Sequence, residues 1–210
     1  MHLFTRTRTI NIEHADDAHR FAVEMGQYAS ATTGLEIVPW TTVYGGAAGT
    51  VSYRARVDSQ NTMAAALATL AADPGYQHRL SKSVGHLFTG PVDDAIGEIV
   101  SFVGSGGNVS NLASITTAQC APGRTAEAMA WGVDILSHAS KLTGLDGALV
   151  RGLYGPWATL AWISLADTWD EVDASTAALF SDATYLERID DAGELLLAGT
   201  VSRQLLRRLS

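Results

Sequence analysis

The chain has 210 residues, 47% of them hydrophobic and 17% charged, a globular balance that excludes a largely disordered chain. Lys and Arg number 14 against 22 Asp and Glu, a formal charge of -8, which disfavours nucleic acid and anionic membranes as partners while leaving room for a local basic pocket. The single cysteine, Cys120, excludes an internal disulfide framework and multi-cysteine metal sites.

The opening residues MHLFTRTRTINIEHADD lack the apolar core of a signal peptide. No stretch reads as a spanning helix, so a soluble, cytoplasmic protein is expected. Leu3–Ile12, in which Thr alternates with Arg, predicts a first strand. A helix over Asp16–Thr32 follows, with Ala18, Phe21, Ala22, Met25, Tyr28 and Ala29 on one face, and Gly34 stops it. Its first turn carries Asp16 and Asp17, which suit the helix dipole better than they suit a metal. Glu36–Tyr44 and Thr50–Asp58, joined by Gly45-Gly46, predict a hairpin. Ser59 caps a second helix with the stripe Met63, Leu67, Leu70, Ala71. Pro74-Gly75 interrupts it before a short helix carrying Tyr76, His78 and Arg79. Ala95–Val103 is the last strand.

The same series is then written again. Gly34-Leu35 before Tyr44-Gly45 recurs 110 residues on as Gly144-Leu145 before Tyr154-Gly155. Asp73, Tyr76 and Arg79 recur 109 residues on as Asp182, Tyr185 and Arg188. The one-residue slip falls in a turn, where a deletion costs little. In the second copy the helix stripe is Ala128, Trp131, Gly132, Ile135, His138 and Ala139. Its hairpin is Asp146–Tyr154 and Thr159–Asp167, and its last strand is Val201–Leu206. The Gly104-Ser105-Gly106-Gly107-Asn108 run reads as a linker, dividing the chain into units 1–104 and 105–210. Each unit has the order β-α-β-β-α-β, the ferredoxin-like unit of an α+β fold. Two such sheets can cover each other's apolar faces.

This order, the unit length and the phrase Ala-Asp-Pro-Gly-Tyr-Gln-His-Arg-Leu at 72–80 resemble the dimeric α+β barrel superfamily. Within it, the antibiotic-biosynthesis-monooxygenase and NIPSNAP-like group is the most similar. The resemblance implies tandem ferredoxin-like (βαββαβ) repeats forming a dimeric-α/β-barrel-type structure within one chain. It also implies a range of activities, cofactor-independent oxygenation and haem degradation among them. The haem-degrading branch places an Asn on the first strand, where this chain has Arg6, Thr7 and Arg8. That branch's helix Trp corresponds to Ala66 or Leu67, although His78 lies near the haem-ligand position. Related peroxidases ligate haem from their C-terminal unit, whose sole histidine, His138, sits on a different element. No cofactor is therefore expected, with haem through His78 kept as a third reading.

Three groups carry candidate chemistry. Arg6 and Arg8 on the first strand, with Arg54 and Arg56 on the third, share one face of the sheet if the registers agree. Covered like charges then need an anion, from a ligand or from acids of the second unit. Tyr76, His78 and His86 could orient or protonate a substrate, or be a packed phenol beside solvated imidazoles. Trp131 and Trp162 could line a pocket for a flat ligand, or be core. No metal site, phosphate-binding loop or nucleotide fingerprint is found. The expectation is a protein that binds a small flat or anionic organic molecule between helices and sheet. If it is an enzyme, a cofactor-independent monooxygenase with Tyr76 and His78 as catalytic candidates is expected. The alternative is a non-catalytic binding or assembly module with filled pockets, and either leaves room for a homo-oligomer.

Overall fold

The computed structural model describes residues 1–105 and 110–210, so residues 106–108 of the expected linker lie outside the described residues. The chain divides into unit 1, Met1–Gly97 with Arg207–Ser210, and unit 2, Glu98–Leu206. Among the described residues no helix is long and apolar enough to cross a membrane.

Unit 1 runs β1 (His2–Ile10), α1 (Ala15–Thr33), β2 (Ile37–Tyr44), β3 (Thr50–Val57), α2 (Gln60–Ala72), α3 (Pro74–Leu87) and the start of β4 (Phe88–Val103). β3 pairs antiparallel with both β1 and β2, and β4 borders β1. The order β4-β1-β3-β2 is that of a ferredoxin-like unit. Unit 2 repeats it with β5 (Leu112–Gln119), α4 (Thr125–Thr143), β6 (Gly147–Gly152), β7 (Thr159–Ala166), α5 (Trp169–Ser181), α6 (Ala183–Asp191) and β8 (Ser202–Arg208). There β7 pairs antiparallel with β5 and β6, and β8 borders β5.

The local signals act as expected. Gly34 and Gly144 end α1 and α4 at φ 74°, each N–H donating to the carbonyl four residues back, Ser30 or Ser140. The Ser59 hydroxyl accepts from the Thr62 N–H at the start of α2. Thr168 and Glu171 form a full capping box at the start of α5. Buried Ala18, Ala22, Met25 and Ala29 set α1 on its sheet, where Ile10, Val51 and Phe88 complete the core. Ala128, Leu136, Leu149 and Leu160 do the same in unit 2. Cys120 is buried there and burial pushes its thiol up, which keeps it protonated.

Two elements are longer than the sequence predicts. α3 runs to 14 residues where a short helix is expected, and β4 starts at Phe88, not Ala95. Gly90-Pro91 reads as a break in sequence, but Gly90 adopts φ 74° and the strand continues through it.

In each unit one aspartate fastens the first helix to the helix pair. Asp73 accepts from the Tyr28 hydroxyl at 2.9 Å and from the Tyr76 N–H at 2.6 Å. Asp182 takes the same place, bonded to His138 Nε2 at 3.1 Å and accepting from the Tyr185 N–H at 2.6 Å. The His138 bond, then the Tyr185 N–H, hold the Asp182 carboxyl below its ordinary 3.8. A depressed carboxyl contributes stability that is present above its unfolded value and lost as pH falls through the folded one. Thermal unfolding of the Asp182→Asn variant should therefore lose less stability than the wild type between pH 5 and about pH 2. Parallel melting curves for the two proteins over that range would contradict the assignment.

Candidate functional site

Within unit 1, α1, α2 and α3 enclose with the sheet a cavity of about 330 Å³. Its walls are mostly apolar: Phe21 and Met25 from α1, Met63, Leu67 and Leu70 from α2, Phe4 from β1 and Phe88 from β4. The helix stripes read from the sequence therefore form the walls. Five polar side chains also line it: Arg6, Arg8, Tyr53, Tyr76 and Asp94.

The β1–β3 register decides which arginines reach this space. Directly opposed residues of an antiparallel pair point to the same face. Arg6 lies opposite Tyr53, Arg8 opposite Val51 and Phe4 opposite Ala55, and this face looks toward the helices. Arg54 lies opposite Thr5 and Arg56 opposite Leu3, so both point to the other face. The expectation that four guanidiniums share one face is therefore corrected to two pairs, one on each side. Arg54 has the Ser52 hydroxyl at 3.4 Å, and burial lowers it to about 10. Arg56 is exposed, 4.0 Å from Glu36.

The polar groups of the cavity are unequally satisfied. Arg6 donates from Nε and Nη2 to the two oxygens of Asp94, at 2.8 and 2.7 Å, a bidentate pair. That pair, helped by Tyr76, keeps Arg6 above its ordinary value despite burial. Burial, with the Tyr76 phenol nearby, pushes Tyr53 up, and Arg8 and Arg6 only partly offset this. Tyr53 is thus a neutral phenol. The Arg8 Cζ lies 4.8 Å from the centre of the Phe88 ring, and its Nε is buried with no hydrogen-bond acceptor.

In unit 2 two indoles occupy part of the equivalent space. Phe21, Ala22 and Tyr53 correspond to Trp131, Gly132 and Trp162. The two indoles meet edge-on with centres 5.5 Å apart. Trp131 Nε1 donates to the Arg188 carbonyl and Trp162 Nε1 to the Gly132 carbonyl, both at 3.0 Å. A side chain at Gly132 would meet both Trp162 and Leu149 at 3.1 Å, so it fits only if those neighbours shift. Nearby, a space of about 20 Å³ remains, lined by Ala139, Val172, Ser175 and Leu179.

Of the sequence-derived candidates, Arg6, Arg8 and Tyr76 come together at the cavity. His78 is exposed on α3 and does not line it, and His86 packs against His14 with the rings tilted at 45° and their centres 3.9 Å apart. Trp131 and Trp162 meet each other inside unit 2. Sequence reasoning missed Tyr53 and Asp94. Asp94 lay just outside the strand as predicted, and Tyr53 alternates with the two arginines that attracted attention. Among the described residues no cluster of three His, Cys, Asp or Glu could hold a metal.

No family model matches this sequence, and no curated protein matches it. Solved structures do match its fold along the whole chain. A candidate monooxygenase from Fusobacterium nucleatum superposes with a TM-score of 0.71 at 10% identity, covering 100% of this chain and 92% of the other. Another candidate monooxygenase, from Lactobacillus acidophilus, gives 0.68 at 8% identity, with 100% and 94% covered. An anthrone oxidase-like protein gives 0.65 at 13% identity, with 100% and 93% covered. The chain has the dimeric α+β barrel fold. Its class is α+β, with tandem ferredoxin-like units, as the sequence predicts.

The filled half of this dimeric α+β barrel chain makes its own prediction. Replacing Trp162 by Ala removes the ring from beneath Gly132 and should destabilise the protein by about 3 kcal/mol. Chemical denaturation measures it. A loss below about 0.5 kcal/mol would mean that the indole is not part of the packed interior.

Proposed function

We propose that unit 1 binds a small, flat, mostly apolar organic molecule, and that the chain oxygenates it with the substrate as its own reductant. The observation that carries the binding half is the contrast between the units: about 330 Å³ open in unit 1, against a pair of indoles in unit 2. That volume lies at the small end of organic-ligand sites, and apolar walls with a few converging polar groups are their usual composition. The chemical half is supported by the full-length neighbours, two candidate monooxygenases and an anthrone oxidase-like protein.

In this reading the substrate carries an acidic C–H whose proton passes to solvent, leaving an enolate. Arg8 and the phenols of Tyr53 and Tyr76 stabilise the charge that develops on its oxygen. The enolate passes electrons to O₂, one oxygen atom is inserted and the other leaves as water: R₂CH₂ + O₂ → R₂C=O + H₂O. Tyr76 is the catalytic candidate retained from the sequence, as a hydrogen-bond donor to the substrate oxygen. A second reading, a module whose pocket is filled by its own side chains, is favoured for unit 2 by Trp131 and Trp162.

Oxygen uptake with anthrone tests the proposal. The wild type should accelerate uptake at least tenfold over buffer, with one O₂ consumed per ketone formed. Leu67→Trp, which places an indole in the cavity, should return the rate to that of buffer. Equal rates in buffer and wild type would overturn the oxygenase half. An unchanged rate in Leu67→Trp would overturn the assignment of the reaction to unit 1.

A further inference from the structure

Resting on the reading that unit 1 is a ligand pocket, we propose that its ligand is a planar monoanion whose acidic oxygen is recognised by Arg8. A charge count over the cavity carries this. The lining residues that carry charge are Arg6, Arg8 and Asp94, and the phenols of Tyr53 and Tyr76 are hydrogen-bond donors. Arg6 and Asp94 neutralise each other through two hydrogen bonds. None of the ion pairs among the described residues includes Arg8, and its Nε is buried without an acceptor. The Phe88 ring, 4.8 Å away, stabilises the cation without neutralising it. One positive charge is left in a mostly apolar cavity, where an anion is worth far more than in water.

The fold does not need this charge. Arg6 and Arg8 correspond to Thr116 and Ala118 in unit 2, which builds the same β1-like strand without either. Unit 2 has no arginine on that strand, and the arginine that lines its small space, Arg203, comes from β8 and donates to the Ser114 hydroxyl at 2.8 Å. The contrast between Arg203, which has its acceptor, and the Arg8 Nε, which has none, favours a ligand over a structural network.

The count also sets the kind of anion. A cationic ligand would meet Arg8 unshielded. A dianion would set its second charge against Asp94, whose own partner is already taken. A carboxylate, enolate or acidic phenolate on a flat apolar body matches both the single charge and the walls of Phe4, Phe21, Met25 and Phe88. Arg8 offers such a group a planar guanidinium, which suits two-oxygen recognition better than a point charge does.

Naphthalene-2-carboxylate and 2-naphthamide share a shape and differ by one charge, and calorimetric titration compares them. The wild type should bind the carboxylate at least tenfold more tightly than the amide. Arg8→Gln should bring that ratio to about one while leaving the amide's affinity within about twofold, and Arg8→Lys should restore part of the preference. Equal affinity of the wild type for both probes overturns the monoanion assignment and leaves the pocket reading standing. A tenfold preference that survives in Arg8→Gln overturns the role of Arg8. Failure of the wild type to bind either probe overturns the pocket reading and this inference with it. Should Arg8→Gln fail to fold, the wild-type ratio and Arg8→Lys still decide.

Discussion

The contrast between the two units turns on the side chains that the third strand and the first helix place between them. In unit 2 the strand presents Trp162 and the helix yields with Gly132, whose carbonyl accepts the indole N–H. Trp131 closes the space from the same helix. In unit 1 the pair is Tyr53 and Ala22, with Phe21 in place of Trp131. Interiors pack densely enough that a few ring atoms at these positions decide whether a cavity exists. Unit 1 keeps a space of about 330 Å³, and the space at the corresponding positions of its repeat is about 20 Å³.

Charge follows the same division. A mostly apolar cavity raises the cost of any unpaired ion inside it. Unit 1 nevertheless places two guanidiniums there and supplies a carboxylate for only one. Tyr53, a neutral phenol, adds a donor without adding charge, and the Tyr76 hydroxyl lines the same space. Unit 2 has neither of the two first-strand arginines, and Arg203, which lines its smaller space of about 20 Å³, donates to Ser114. Size and charge thus separate the two units, and the proposed site rests on unit 1.

The architecture was legible in the sequence because it rests on local signals. Helix stripes, the glycine stops at Gly34 and Gly144, the Ser59 and Thr168 caps and the repeat of Asp73 as Asp182 all depend on neighbouring residues. The site was only partly legible. Strand register is a long-range property, and alternation alone could not say that Tyr53, rather than Arg54, faces Arg6. Asp94 was hidden because Gly90-Pro91 reads as the end of an element, whereas the strand runs through it. Tryptophans suggest a pocket by composition, yet here they fill one. Whether aromatic rings line a space or occupy it depends on the residue opposite, in this case Gly132.

The central claim is that the exchange of Tyr53 and Ala22 for Trp and Gly separates an open unit from a filled one. The most direct measurement imports the filled pair into unit 1 as the double variant Ala22→Gly/Tyr53→Trp. The stoichiometry of naphthalene-2-carboxylate binding is then determined for this variant and the wild type. One equivalent per chain in the wild type and none in the folded variant is the predicted result. Two equivalents in the wild type, or undiminished binding in the variant, would contradict it.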